Sequence, residues 1–123
     1  MKLTFLGTGT STGVPVIACD CPVCTSGDQR NQRTRASLLV ENNGHRIIID
    51  TSPDLRQQAL RTGLRRLDAV LFTHSHADHV GGLDELRGFN VAQRASIPCY
   101  GDAETIHNIR TRYPYIFNGR LYF

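Results

Sequence analysis

No stretch of the 123 residues is apolar for long enough to cross a bilayer as a helix, so no membrane partner is expected. The opening "MKLTFLGTG" reaches glycine before any apolar run develops, so it does not read as a secretory leader. Lysine is nearly missing: Lys2 stands alone, and arginine supplies the rest of the 14 basic residues, against 11 acidic ones. The resulting formal charge of +3 suits an anionic substrate and falls short of a nucleic-acid footprint. Repeats, low-complexity tracts and linkers are also lacking, which points to one domain or part of a larger one. A cytoplasmic location is expected, where thiols stay reduced and clustered cysteines hold metal more often than they form disulfides.

Against that plain background, the punctuation is informative. "KLTFLG" alternates and stops at Gly7, so residues 2–6 are read as a first strand. The loop "GTGTSTG" (Gly7 to Gly13) resembles a phosphate-binding turn only superficially. Thr12 stands where a third glycine would be, and no Gly-Lys-Ser/Thr follows. Its glycines are better suited to a sharp turn and close approach to a neighbouring loop. "ASLLVENNGHRIIID" reads as a hairpin turning at Asn42-Asn43-Gly44, its second arm ending in Asp50. "TSPDLRQQALRTG" carries helix punctuation: Ser52 as N-cap, Pro53 in the first position and Gly63 as stop, with Leu55, Ala59 and Leu60 facing the core.

"DAVLFT" is a short apolar run of the kind a buried strand shows, and it leads directly into "HSHADHVGG". A short helix is expected over Val80 to Arg87, a strand in "SIPCYG", and a helix from about Asp102 to before Pro114. The tail "YIFNGRLYF" suggests a hairpin around Asn118-Gly119. A hairpin meander followed by alternating strands and helices implies an α+β fold, a mixed or antiparallel sheet with helices on one face.

Two clusters carry chemistry. His74, His76, Asp78 and His79 fall within six residues just after a buried strand, where α/β proteins commonly place their sites. Imidazoles and a carboxylate are ligands for zinc, manganese and iron, and two small groups at this spacing suit two metals. The second cluster is "ACDCPVC", with Cys19, Cys21 and Cys24. Three thiolates from one loop suit a structural tetrahedral zinc short of one ligand, while a Cys21–Cys24 redox pair and inert buried thiols stay open. Cys99 reads as a small core residue, and His107 and His45 as ordinary surface histidines.

"THSHADHVGG", with Asp50 upstream, resembles the signature of the metallo-β-lactamase fold hydrolases. The opening "FLGTGTSTGVP" followed by "CDCPVC" is similar to the subgroup of the carbon–phosphorus lyase accessory phosphodiesterase, near the tRNA 3′-processing endonucleases. The resemblance implies an αββα sandwich of which residues 1–123 are the N-terminal half, a single partial domain with one sheet face uncovered. Such a face promotes association, so a homodimer is among the expectations. It further implies two divalent metals (zinc or manganese), one held by His74 and His76 and the other by Asp78 and His79. Asp50 would orient those ligands, Asp78 would double as a catalytic group, and the cysteine loop would hold one structural zinc whose fourth ligand lies further on. The implied activity is hydrolysis of small or cyclic phosphodiesters by a metal-bound hydroxide, with a small anionic phosphodiester as partner. Two rivals stand beside it. A tRNA-processing nuclease would want a basic patch that the sequence lacks, which makes RNA the less favoured partner. A non-catalytic zinc-binding fragment is the other.

Overall fold

In the computed structural model, which describes residues 1–118, five strands form a single sheet in the order β1-β2-β3-β4-β5, the same order in which they occur in the chain. These are β1 (Lys2–Gly7), β2 (Ser37–Asn42), β3 (His45–Ile49), β4 (Ala69–Leu71) and β5 (Cys99–Tyr100). The first three run antiparallel and the last two join parallel, so the sheet is mixed and the fold is α+β. Asn43 and Gly44 both take positive φ at the hairpin turn, the conformation for which an Asn-Gly pair is suited.

Helices α1 (Leu55–Thr62), α3 (Leu86–Gln93) and α4 (Ala103–Arg112) bury residues against one face of the sheet. Leu6, Leu39, Ile48 and Val70 supply the sheet side of this core; Leu55, Leu86, Phe89 and Ile109 supply the helical side. The other face carries a row that register places side by side: Phe5, Leu38, Ile49, Leu71 and Tyr100. Phe5 is 70% exposed and Tyr100 56%, so among the described residues no element covers this apolar row. Among the described residues no helix is long and apolar enough to cross a membrane.

The glycine loop makes the expected close approach. A side chain at Gly9 would sit 2.6 Å from the Arg33 carbonyl, and the Gly9 amide donates to the Thr34 carbonyl at 2.7 Å. Val14 and Arg33 then exchange a pair of backbone hydrogen bonds at 2.8 and 2.9 Å, which ties the loop beneath the strand ends.

Two local expectations are corrected and one holds in part. The regular helix begins after Asp54, which makes no side-chain cap, but the Ser52 hydroxyl accepts from the Asp54 amide at 3.2 Å, the capping contact expected ahead of Pro53. The Asp54 carboxylate is spent on the Arg35 amide and guanidinium, both at 2.9 Å, while Ser52 is buried and donates to Gln58 Oε1 at 3.1 Å. Leu60 is 67% exposed and Gln58 takes the inward position, since i, i+3 and i+4 from Leu55 share a face. Gln58 is satisfied there, donating to Thr34 Oγ1 at 3.0 Å and to the Arg35 carbonyl at 2.9 Å. The helix expected over Val80 to Arg87 is split: α2 spans Ala77–Val80, a 3-10 turn Leu83–Glu85, and α3 follows. The break falls where Gly82 crosses the Ser52 carbonyl so closely that a Cβ would lie 2.1 Å from it. The hairpin around Asn118-Gly119 lies outside the described residues.

Candidate metal centre

Asp50, one residue past β3, is the hub of the histidine cluster. It is 5% exposed and takes φ of +61°, a left-handed conformation that asparagine and aspartate tolerate better than most side chains. Its carboxylate accepts from the Thr73 amide at 2.8 Å, the Thr73 hydroxyl at 2.7 Å and His79 Nδ1 at 2.7 Å. The Thr73 hydroxyl, with its proton committed to Asp50, accepts from His74 Nδ1 at 2.9 Å. This network assigns both tautomers. A carboxylate can only accept, so His79 carries its proton on Nδ1; Thr73 passes the same requirement to His74. In the neutral ring this orientation leaves Nε2 as the lone pair that can bind a metal.

The local backbone explains the convergence. His74 and His76 alternate along an extended segment, and α2 begins at Ala77, which swings Asp78 and His79 around. The rings of His74 and His76 lie 4.6 Å apart and those of His74 and His79 4.0 Å apart. His79 Nε2 is 3.2 Å from Asp78 Oδ2. That separation matches the edge of a tetrahedral shell whose ligands sit ~2.0 Å from the ion, roughly 3.3 Å. Asp78 and His79 thus stand at ligand-to-ligand spacing, but among the described residues no three of His74, His76, Asp78 and His79 bring their donor atoms within 4.8 Å of one another, as the three cysteines do.

Helix α4 braces this loop from behind. Asn108 Nδ2 donates to Ser75 Oγ at 3.1 Å and Arg112 to the Ser75 carbonyl at 2.8 Å, pinning the residue between the two leading histidines. Thr73, Asn108 and Arg112 escaped the sequence reading. Only Thr73 left a signal, as the hydroxyl residue directly ahead of the first histidine.

The thiol loop is a second, separate site. Cys19, Cys21 and Cys24 bring their sulfurs within 4.8 Å of one another, and among the described residues no fourth His, Cys, Asp or Glu joins them. All four cysteines are unpaired, so the Cys21–Cys24 disulfide is not formed. The Cys24 backbone N–H, with hydrogen bonds from the Cys19 and Cys24 thiols, pulls Cys21 down to about 7. The Val16 amide donates to Cys24 Sγ at 3.3 Å and favours its thiolate, but the hydrogen bond with Cys19 and partial burial outweigh this and raise its pKa. A loop that stabilises one thiolate and gathers two more around it suits a thiophilic cation. Cys99 differs: burial pushes it up to about 11, and it packs against the core. His107 and His45 are surface residues on α4 and at the start of β3.

A mixed sheet whose third strand ends in this aspartate, and whose fourth leads into this histidine loop, is the arrangement of a metal-centred superfamily. The chain belongs to the β-lactamase superfamily; the family model described as a beta-lactamase superfamily domain matches residues 45–121. An octanoyltransferase of Porphyromonas gingivalis is 49% identical over 99% of this chain, which spans 25% of that protein's length. Among solved structures, a diphosphatase of the PhnP family superposes with a TM-score of 0.90 at 44% identity, over 94% of this chain and 46% of that one. Zinc-bound PqqB of Methylobacterium extorquens matches with a TM-score of 0.66 at 29% identity, over 84% of this chain and 50% of that one. The chain thus spans a quarter to a half of the proteins it resembles. The superfamily includes hydrolases, and zinc is bound by at least one of these neighbours.

Proposed function

We propose that the protein hydrolyses phosphodiesters at a two-metal centre, with Asp78 and His79 serving one ion, and His74 and His76 the other. The observation that supports this reading is the Asp50–Thr73 network, which holds the His74 and His79 rings through Nδ1 and so makes Nε2 the ligand atom of each. The likeness to a PhnP-family diphosphatase supports phosphorus–oxygen bonds as the target. Bound divalent ions supply Lewis acidity and lower the pKa of water to neutrality. The chain's own residues do the rest. Asp50 holds two imidazoles in their metal-binding tautomers, Thr73 relays that constraint, and Asp78 offers a second carboxylate oxygen to orient a water through its proton. A small anionic diester, rather than RNA, is the partner that the modest net charge favours.

Protein loaded with zinc or manganese should hydrolyse bis(p-nitrophenyl) phosphate. His76→Ala should lower kcat/KM by a factor on the order of 10³, since several kcal/mol of charge stabilisation depend on that ion. His76 is exposed, so its far-UV circular dichroism should stay unchanged. Full activity in this variant, or no diester hydrolysis with either metal, would sink the assignment.

For the thiol loop we infer a structural zinc held by Cys19, Cys21 and Cys24. Cys21→Ser should release one equivalent of zinc per chain and lower Tm by about 5 °C or more. If zinc content and Tm both hold, the loop is no zinc site.

A further inference from the structure

The helical layer carries a surface that neither cluster uses. Helices α1 and α3 lie side by side, joined near both ends. Gly82, ahead of α3, passes so close to the start of α1 that a Cβ on it would lie 2.9 Å from Leu55 Cβ. At the far end the Gln93 side chain accepts from the Leu67 amide at 2.6 Å and donates to the Leu67 carbonyl at 2.9 Å. Between the helices lies an open trough of about 350 Å³. Its walls are stripes at helical spacing: Leu55, Ala59 and Leu60 on α1, and Gly88, Phe89 and Ala92 on α3. Leu60, which the core leaves 67% exposed, therefore stands on the rim of an apolar recess.

Gly88 is not required by the fold. Gly63 needs its φ of +66° to end α1, but Gly88 lies inside α3 without a left-handed φ, and an added Cβ would meet nothing within 4 Å. Glycine is among the poorest helix formers, so its presence weakens α3 with no return in packing. It does leave a notch open to the trough, where a side chain from outside can seat. Charge then selects the visitor. Arg56 and Arg65 line the trough and Arg87 adjoins Gly88, while among the described residues Glu85 is the one acid along it. None of these three arginines has a described carboxylate within ion-pair distance. A second copy would bring the same arginine excess and meet it with repulsion. A bilayer would need an apolar surface that protrudes, and this one is recessed between two helices.

We propose that the trough docks an amphipathic helix of a partner protein, apolar along one stripe and acidic on its flanks. Each wall is a helix of 8 residues, about 12 Å long, so two turns of the partner fill the trough and offer anchors at i, i+3, i+4 and i+7. The flanking carboxylates answer Arg56, Arg65 and Arg87. No residue of the histidine or cysteine loops takes part, so docking stands or falls apart from the hydrolase reading.

The test is fluorescence anisotropy with a labelled helical peptide that carries leucine at i, i+3, i+4 and i+7 and glutamate on both flanks, beside a twin with lysine in place of glutamate. The glutamate peptide should bind, more weakly as salt rises, and the lysine twin should bind about tenfold more weakly or worse. Arg65→Glu should weaken the glutamate peptide about tenfold. Gly88→Gln, which fills the notch, should weaken it to a similar degree while Tm holds or rises, since glutamine is the better helix former at an exposed position. That opposite movement separates lost docking from lost fold. No binding at millimolar peptide overturns the proposal, as does equal affinity for the twin or binding that survives both substitutions. Tighter capture by phosphatidylglycerol vesicles, weakened by the same substitutions, overturns it in favour of a membrane surface. Self-association in sedimentation that Gly88→Gln abolishes overturns it in favour of a second copy.

Discussion

Exchanging Asp50 for alanine should lower zinc affinity at the histidine centre by about 10- to 100-fold, the usual cost of losing a carboxylate that orients a metal-binding histidine. The side chain is nearly inaccessible and accepts three hydrogen bonds, so its removal strands the Thr73 amide and His79 Nδ1. The stranded donors are only partly buried, so each costs less than the ~1–3 kcal/mol of a fully buried one, and with alanine less content at positive φ the unfolding free energy should fall by about 1–3 kcal/mol. Asp50→Asn separates the two effects. Asparagine tolerates the left-handed backbone and can still accept from the Thr73 amide, so most of the stability should remain. Its amide nitrogen, however, would present a donor to His79 Nδ1, forcing that nitrogen to accept and moving the ring proton to Nε2. The metal-binding lone pair is then blocked. Zinc titration beside urea unfolding measures both quantities, and undiminished zinc affinity in Asp50→Asn would refute the tautomer argument.

The second large effect is purely steric. A methyl group at Gly7 would sit 1.9 Å from the Arg35 carbonyl oxygen, 2.6 Å from Gln58 Nε2 and 2.7 Å from Thr34 Oγ1. The nearest obstacle is backbone, and the other two are partners in the buried Gln58 network. No rotamer change relieves all three, so β1 and the 33–35 segment must part. Gly7→Ala should cost more than about 4 kcal/mol, a large share of the ~5–15 kcal/mol that typically holds a domain together. Gly27→Ala is the control: nothing lies within 4 Å of a Cβ there, and its stability should change by less than about 0.5 kcal/mol. Equal urea midpoints for the two variants would contradict the packing described at Gly7.

The parts of this fold that local chemistry dictates were legible in the sequence. Asn43-Gly44 announced its turn because that backbone excludes most other residues, and "HSHADH" announced its site because few other roles gather those side chains after a buried strand. What stayed hidden depends on partners distant along the chain. Leu60 reads as core until Gln58 finds Thr34 and the Arg35 carbonyl, 24 and 23 residues away, and claims the inward face. Asp54, just ahead of α1, spends its carboxylate on Arg35, 19 residues earlier, rather than on the helix. Arg112 and Asn108 read as surface positions because Ser75, which they hold, lies 37 and 33 residues earlier.

The sheet's order has a consequence for how the protein is made. Because each strand pairs with the strand synthesised just before it, no ribosome-bound intermediate has to leave a slot open for a later segment to thread. The β2–β3 hairpin can close as soon as it emerges, β4 and β5 can add to its growing edge in turn, and α4, whose Asn108 and Arg112 pin the histidine loop, arrives after the strands are laid down.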